Sequence, residues 1–351
     1  MIKNIDATQD SAVVALTQTL VQIPSENPTR DEVALGQYIA ELLQANDIET
    51  EVQPVDGQRA NVIGRLRGAG GPPLVLLAHL DTVPIGDSAN WHYDPFGGEV
   101  VAGNLYGRGS CDMKGGMAAA ILTMLRLKQA KLKLSGDLVL ACTIDEETAP
   151  MLGSHALGHA KMFGPEAYLL TMEPTSCKLN VAHKGAFWYE ATFTGKAAHA
   201  ANPEFGADAN RALAEAITGW YAANEAWQNQ YPHALLGSPT LVVSVVAGVF
   251  KTNVVSEFCR AEIDMRVPPP LNETHTYALL AEVGTRVAQR FGVEFSLKPL
   301  SEPRPPVECD LQSPLIAAFD KAYQQVTGQL AEHLGFLAYT VNGSERSASE
   351  V

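Results

Sequence analysis

The sequence predicts an α/β fold, a mostly parallel sheet flanked by helices, into which an α+β domain is inserted. Three observations carry this prediction. Helical and extended stretches alternate up to about residue 179, long strands followed by a helix then fill 181–295, and an amphipathic helical pattern returns in SPLIAAFDKAYQQVTG, from residue 313. The flanking domain is therefore placed at 1–180 and 296–351 and the insert at 181–295.

Taken in order, SAVVALTQTLVQ and TRDEVALGQYIAELLQAN carry helical periodicity, the second with Thr29 and Glu32 in capping-box spacing. NVIGRL, PLVLLAHL, DLVLACTI and AYLLTM follow as short apolar runs, as expected of strands buried on both faces. In the insert, KLNVAHKGAFWYEATFTGK reads as a long hairpin-like stretch and ADANRALAEAITGWYAANEAW as a helix. TLVVSVVAGV and NVVSEFCRAEIDMRV read as two further long strands, and ETHTYALLAEVGTRVAQRF as a second helix.

At 351 residues, with 46% apolar and 18% charged, the chain can bury a large core and divide into two domains. The net charge of -14 and pI near 5.1 argue against nucleic acid or an anionic membrane as partner, since both require a basic surface. Five cysteines, without a Cys-x-x-Cys pair, fit reduced thiols in a cytoplasmic protein. No basic segment followed by an apolar one opens the chain, and no run of eighteen apolar residues occurs, so a soluble protein is expected.

The ends of the predicted strands collect one imidazole and a set of acids: His79 and Asp81, Asp112 in YGRGSCDMKGG, Asp145, Glu146 and Glu147 in TIDEET, and Glu173 in LLTMEPT. Ligands of open α/β sheets bind at the carboxyl ends of strands, so these residues can converge on one cleft. Singly each has an ordinary reading: a polar loop start, a solvated acidic pair, a helix cap. Jointly they form a metal-site inventory. One histidine with carboxylates suits a divalent ion such as zinc, and one carboxylate can bridge two ions. Asp81 is placed to accept the proton on the other ring nitrogen of His79. Neighbouring side chains at a strand end diverge, so one of Glu146 and Glu147 can bind metal while the other takes a proton from water.

The motifs HLDTVP, WHYDPFGGEV, GNLYGRGSCDMKGG, DEET, EPTSCKLNVAHKG, GKAAHAANPEFGADAN and KTNVVSEFCRAEIDMR, in this order, resemble one family. It is the acetylornithine deacetylase and succinyl-diaminopimelate desuccinylase family of zinc metallopeptidases, with aminoacylase and glutamate carboxypeptidase relatives. The resemblance implies that His79, Asp112 and Glu173 hold one zinc ion and that Asp112 bridges to a second held by Glu147. Glu146 is then the general base, Asp81 the residue orienting His79, and the peptide bond after Asp112 is cis. The insert becomes a dimerisation or lid domain, making a homodimer. His199, from residues alone a loop histidine, reaches across the dimer to the oxyanion, and Asn253 and Arg304 contact the substrate carboxylate.

The implied reaction is hydrolysis of the amide of an N-acyl amino acid, N-acetylornithine leading, with one or two zinc ions or cobalt as substitute. Succinyl-diaminopimelate desuccinylase, aminoacylase and dipeptidase activities are the alternatives within the family. One departure stands out. The family's second zinc takes a histidine from a C-terminal His-x-Pro-Asp-Glu segment, which this sequence does not contain; His333 is the only histidine after His275, in other surroundings. The chain is therefore expected to be truncated, with the Asp112 and Glu147 site weak or empty. A catalytically impaired homologue acting as a binding protein is the reading from another class.

Overall fold

The computed structural model describes residues 11–28, 32–148, 151–248 and 251–337. These divide into two units, one running to Cys177 and one beginning at Lys178. The first opens with helices α1 (Ala12–Val21) and α2 (Glu32–Gln44) and strands β1 (Glu49–Asp56), β2 (Arg59–Leu66) and β3 (Gly71–His79). The short hairpin of β4 (Glu99–Val101) and β5 (Asn104–Tyr106) comes next, then α3 (Gly115–Gln129), β6 (Gly136–Thr143), α4 (Leu152–His159) and β7 (Tyr168–Thr171). Of the expected capping box, Thr29 lies outside the described residues, and Glu32 is buried against Arg59.

Five strands form one sheet in the order β1-β2-β6-β3-β7. Its parallel part, β6-β3-β7, is the part marked by uninterrupted apolar runs. β1 and β2 join antiparallel on one side, so the sheet is mixed. β1 had no apolar run to announce it, and its residues are largely exposed. Val75, Leu77 and Ala78 in the middle of β3 have no exposed surface. Both faces of that strand are covered, as in parallel sheets with helices on either side. Parallel strands end on the same edge. The segments after His79, Thr143 and Thr171 therefore leave the sheet side by side, which is what gathers the acidic residues.

The second unit contains β8 (Leu179–His183), β9 (Gly185–Thr194), β10 (Ala198–His199), α5 (Ala209–Gln230), β11 (Thr240–Gly248), β12 (Val254–Val255) and β13 (Phe258–Val267). It continues with α6 (Glu273–Phe291), β14 (Glu294–Pro299), β15 (Val307–Glu308), α7 (Pro314–Thr327) and β16 (His333–Phe336). An antiparallel sheet in the order β11-β13-β9-β14 forms a core with α5 and α6 through Phe193, Trp220, Ile263 and Leu280. Both helices are capped at their starts, by Asp208 on Asn210 N and Arg211 N and by Asn272 on His275 N.

The stretch read as a hairpin, 178–196, is not one. β8 pairs with β15 and β16, and β9 pairs with β13 and β14. Only Lys184 separates the two strands, fewer residues than the two-residue loop of the tightest common hairpins, so the chain passes from one sheet into another. His333 on β16 donates from Nε2 to Asp320 Oδ1 at 2.8 Å.

Candidate metal centre

His79 ends β3 with its side chain 1% exposed, and the ring is held from both sides. Its Nδ1 lies 2.8 Å from the main-chain oxygen of Asp81. A carbonyl only accepts, so Nδ1 carries a proton and Nε2 faces the opposite way. There Nε2 meets Asp112 Oδ1 at 3.0 Å and Glu173 Oε1 at 3.8 Å. One ligand atom from each of His79, Asp112 and Glu173 lies within 4.8 Å of the others, the one such group among the described residues. Two atoms bound at 2.0–2.2 Å to a common tetrahedral zinc ion sit roughly 3.3–3.6 Å apart, so the 3.0 and 3.8 Å separations fit that geometry with small shifts. The donor set, one imidazole and two carboxylates, suits the same ion.

Asp112 reaches this position through an irregular turn. Its φ and ψ are -117° and 99°, those of Met113 are -131° and 34°, and the peptide bond between them is cis. Helix α3 starts directly after, and its second residue is Gly116. A Cβ there would lie 2.1 Å from the main-chain oxygen of Met172, the residue before Glu173. The missing side chain lets α3 approach the end of β7, and so brings Asp112 to Glu173. Gly116→Ala is expected to force the two backbones apart, lowering stability by about 1–3 kcal/mol or more and weakening zinc binding. Thermal unfolding with and without zinc checks both; an alanine variant with unchanged melting temperature and affinity rules this out.

The role expected of Asp81 is divided between two of its groups. Its main-chain oxygen holds His79, while its carboxylate, buried and 3.8 Å from His79 Nδ1, accepts hydrogen bonds from Glu146 N and Glu147 N, both at 3.0 Å. Asp81 therefore links the histidine to the acidic loop after β6. Glu146 is half-buried among the charges of His79, Glu147, Asp81 and Asp112. The Glu147 side chain lies outside the group of three ligand atoms and accepts a hydrogen bond from the main chain of Val83.

So many acids in a partly desolvated space alter the protonation of each. Burial pushes the Glu146 carboxyl up to about 7, helped by Glu147, Asp81 and Asp112 and opposed by His79. Burial likewise raises Glu173 to about 8, with His79 opposing and Asp112 and Glu146 adding to the rise. For His79 burial acts downward, but the hydrogen bond with Asp112 and the charges of Glu146, Glu173 and Asp81 outweigh it and raise the ring to about 10. The pocket stabilises positive charge strongly enough to hold a proton on a fully buried imidazole. A divalent cation meets the same field.

The remaining predicted residues lie in the second unit. β10 and β12 pair, with His199 opposite Val254, and Ala200 N donates to Asn253 O at 3.0 Å, so His199 and Asn253 are neighbours. Both are exposed. His199 Nδ1 accepts from Ala201 N at 3.1 Å, which leaves Nε2–H of the neutral ring as a donor. Arg304 is buried. Its main chain pairs with Ala186, and its guanidinium stands 4.9 Å above the Trp188 ring. Two residues behind the metal group were not expected: Asn27 and Arg59, which form a buried network with Asp145. Asn27 stood before Pro28 and Arg59 at a strand start, both ordinary turn and edge positions, and no spacing signalled their meeting.

Comparison with known proteins decides the family. The Peptidase_M20 family, peptidase family M20/M25/M40, matches residues 75–341. The chain belongs to this family. It is a family of hydrolases, and the match covers all the residues named above as candidates for the site. An acetylornithine deacetylase of Proteus mirabilis is 30% identical over 317 residues, 88% of this chain and 80% of that protein. A probable succinyl-diaminopimelate desuccinylase of Staphylococcus epidermidis is 27% identical over 328 residues, 86% of this chain and 78% of that protein. The match to its counterpart in Staphylococcus aureus strain Mu50 is 35% identical over 202 residues, and spans half (50%) of that protein's length. In fold, the chain resembles aminopeptidase PepT of Bacillus cereus, with a TM-score of 0.75 at 19% identity, covering 98% of this chain and 88% of that one. It also resembles the Bacillus subtilis YXEP protein, a dinuclear metal-binding M20 peptidase, with a TM-score of 0.70 at 18% identity, covering 96% and 85%. No helix among the described residues is long and apolar enough to cross a membrane.

Proposed function

We propose that this M20 chain is a zinc-dependent amidohydrolase of N-acyl amino acids, cleaving the amide by attack of water. The observation that carries the reading is the meeting of His79, Asp112 and Glu173 ligand atoms within 4.8 Å of one another, beside the half-buried Glu146. A bound zinc ion supplies Lewis acidity, polarising the amide carbonyl and lowering the pKa of water from about 15.7 toward 7.

Glu146 accepts the proton of the attacking water and returns it to the leaving nitrogen. It stands half-buried beside the three ligand side chains, where a positioned carboxylate can make both transfers. His79 directs Nε2 toward Asp112 and Glu173 because Nδ1–H is committed to the Asp81 carbonyl, and Nε2 would have to give up its proton to bind the ion. Asp112 and Glu147 would hold a second ion more weakly than His79, Asp112 and Glu173 would hold the first, with one histidine fewer. His199, from the partner copy of a homodimer formed through residues 181–295, donates Nε2–H to the oxyanion. Asn253 and the Arg304 guanidinium receive the substrate carboxylate. The protein acts in the cytoplasm.

N-acetylornithine and succinyl-diaminopimelate are equally supported as substrates, since relatives named for each cover most of this chain. Assaying acetyl, succinyl and aminoacyl substrates with added Zn²⁺ or Co²⁺ separates them. Hydrolysis of at least one is expected, abolished by a chelator and restored by either metal. Hydrolysis that survives complete metal removal, or none with any of the three classes, overturns the reading.

A further inference from the structure

Behind the candidate centre, charge is buried that no step above uses. Glu32, Arg59, Asp145, Asn27 and Asp81 are each at most 5% exposed. Arg59 Nε donates to Glu32 Oε1 at 2.7 Å and Arg59 Nη2 to Asp145 Oδ1 at 2.8 Å. The same Asp145 oxygen accepts from Thr148 Oγ1 at 2.7 Å and from Asn27 Nδ2 at 2.9 Å. That Asn27 nitrogen also donates to Asp81 Oδ2 at 3.0 Å. One amide thus ties together two buried carboxylates, and one guanidinium pairs with Asp145 and Glu32 together.

The position of the tie explains its use. Asp145 has φ of 68°, a left-handed conformation uncommon for a residue with a Cβ. It turns the chain as it leaves β6, so that the next two N–H groups, of Glu146 and Glu147, both meet the Asp81 carboxylate. Without the Asn27 and Arg59 donors, Asp81 and Asp145 would repel each other and that turn would lose its anchor. A stabilising role alone explains the network poorly, because burying paired charges often gains no more than apolar packing of the same volume. Conformational specificity is the better account.

We infer that Asn27 and Arg59 are positioning residues, locking the Asp145 turn onto Asp81 and thereby fixing both the direction of Glu146 and the carbonyl that aims His79. The inference rests on the reading of Glu146 as base given under Proposed function. Its test is Asn27→Ala in the full chain, assayed on whichever substrate of the three classes the wild type hydrolyses fastest. Zinc affinity is measured in parallel by competition with a chromophoric chelator. Expected are a kcat lower by about 10–100-fold with KM within about threefold, and zinc affinity lower by about tenfold. In a Glu146→Gln background, Asn27→Ala should lower kcat by less than about threefold further, since residues acting through one another are not additive.

A folded Asn27→Ala protein with wild-type kcat and zinc affinity overturns the inference. So does the full loss repeated in the Glu146→Gln background. If Asn27→Ala does not fold, Asn27→Ser and Arg59→Lys, which keep a donor at each place, are measured on the same scales. Should the wild type hydrolyse nothing, or Glu146→Gln stay active, the reading of the base fails by itself. Zinc affinity unchanged in the variants then still overturns the positioning role.

Discussion

Glu146→Gln should lower kcat by about 10²–10⁴-fold, roughly 3–5 kcal/mol of transition-state stabilisation, while KM and bound zinc stay within about a factor of three. The amide is isosteric with the carboxylate and keeps the main-chain hydrogen bond from residue 146 to Asp81 Oδ1, so the loop is retained. What is lost is the carboxylate proposed to take the proton from water. The other acids nearby are poorly suited to replace it. Glu173 shares a hydrogen bond with Asp112 inside that group, and the Glu147 carboxylate is engaged by the main chain of Val83. Steady-state kinetics and metal content by mass spectrometry check the split. A variant within tenfold of wild-type kcat moves the base to another residue.

The parts of this site that the sequence disclosed are those tied to strand periodicity. PLVLLAHL and DLVLACTI are apolar without interruption, which marks buried parallel strands, and the residue types just beyond them mark the edge where ligands bind. That logic located His79, Asp112, Glu146 and Glu173 in one place. It could not locate Asn27 or Arg59, because their contacts with Asp81 and Asp145 span 54 and 86 residues of chain and follow no period. Nor could it tell that the Asp81 carbonyl, and not its carboxylate, takes the hydrogen bond from His79. The hairpin-like reading of 178–196 failed for a related reason. Local alternation specifies a strand and its faces but not its partner, and β8 and β9 find theirs far along the chain, in β15 and β16 and in β13 and β14 respectively.

Zinc binding by the protein should release about two protons at neutral pH and weaken about 100-fold for each unit the pH is lowered from 7 toward 5. Before metal enters, His79 is raised to about 10 and Glu173 to about 8, so both are mainly protonated at pH 7. Each must lose its proton to become a ligand, and every unit of acidification then makes each loss tenfold harder. The sign for folding is opposite for the metal-free chain. A His79 pKa above the unfolded value near 6.5 stabilises the fold fully below that value, and the stabilisation fades as pH rises through about 10. Acid therefore expels the metal while favouring the protonated, metal-free site, and the two tendencies cross where zinc displaces the protons. Titration calorimetry in buffers of different ionisation enthalpy counts the protons directly. His79→Ala should reduce the count by one and the pH slope to about tenfold per unit. If wild type releases no protons near pH 7, the imidazole is not held charged by these acids, and the electrostatic account of why a cation belongs here is wrong.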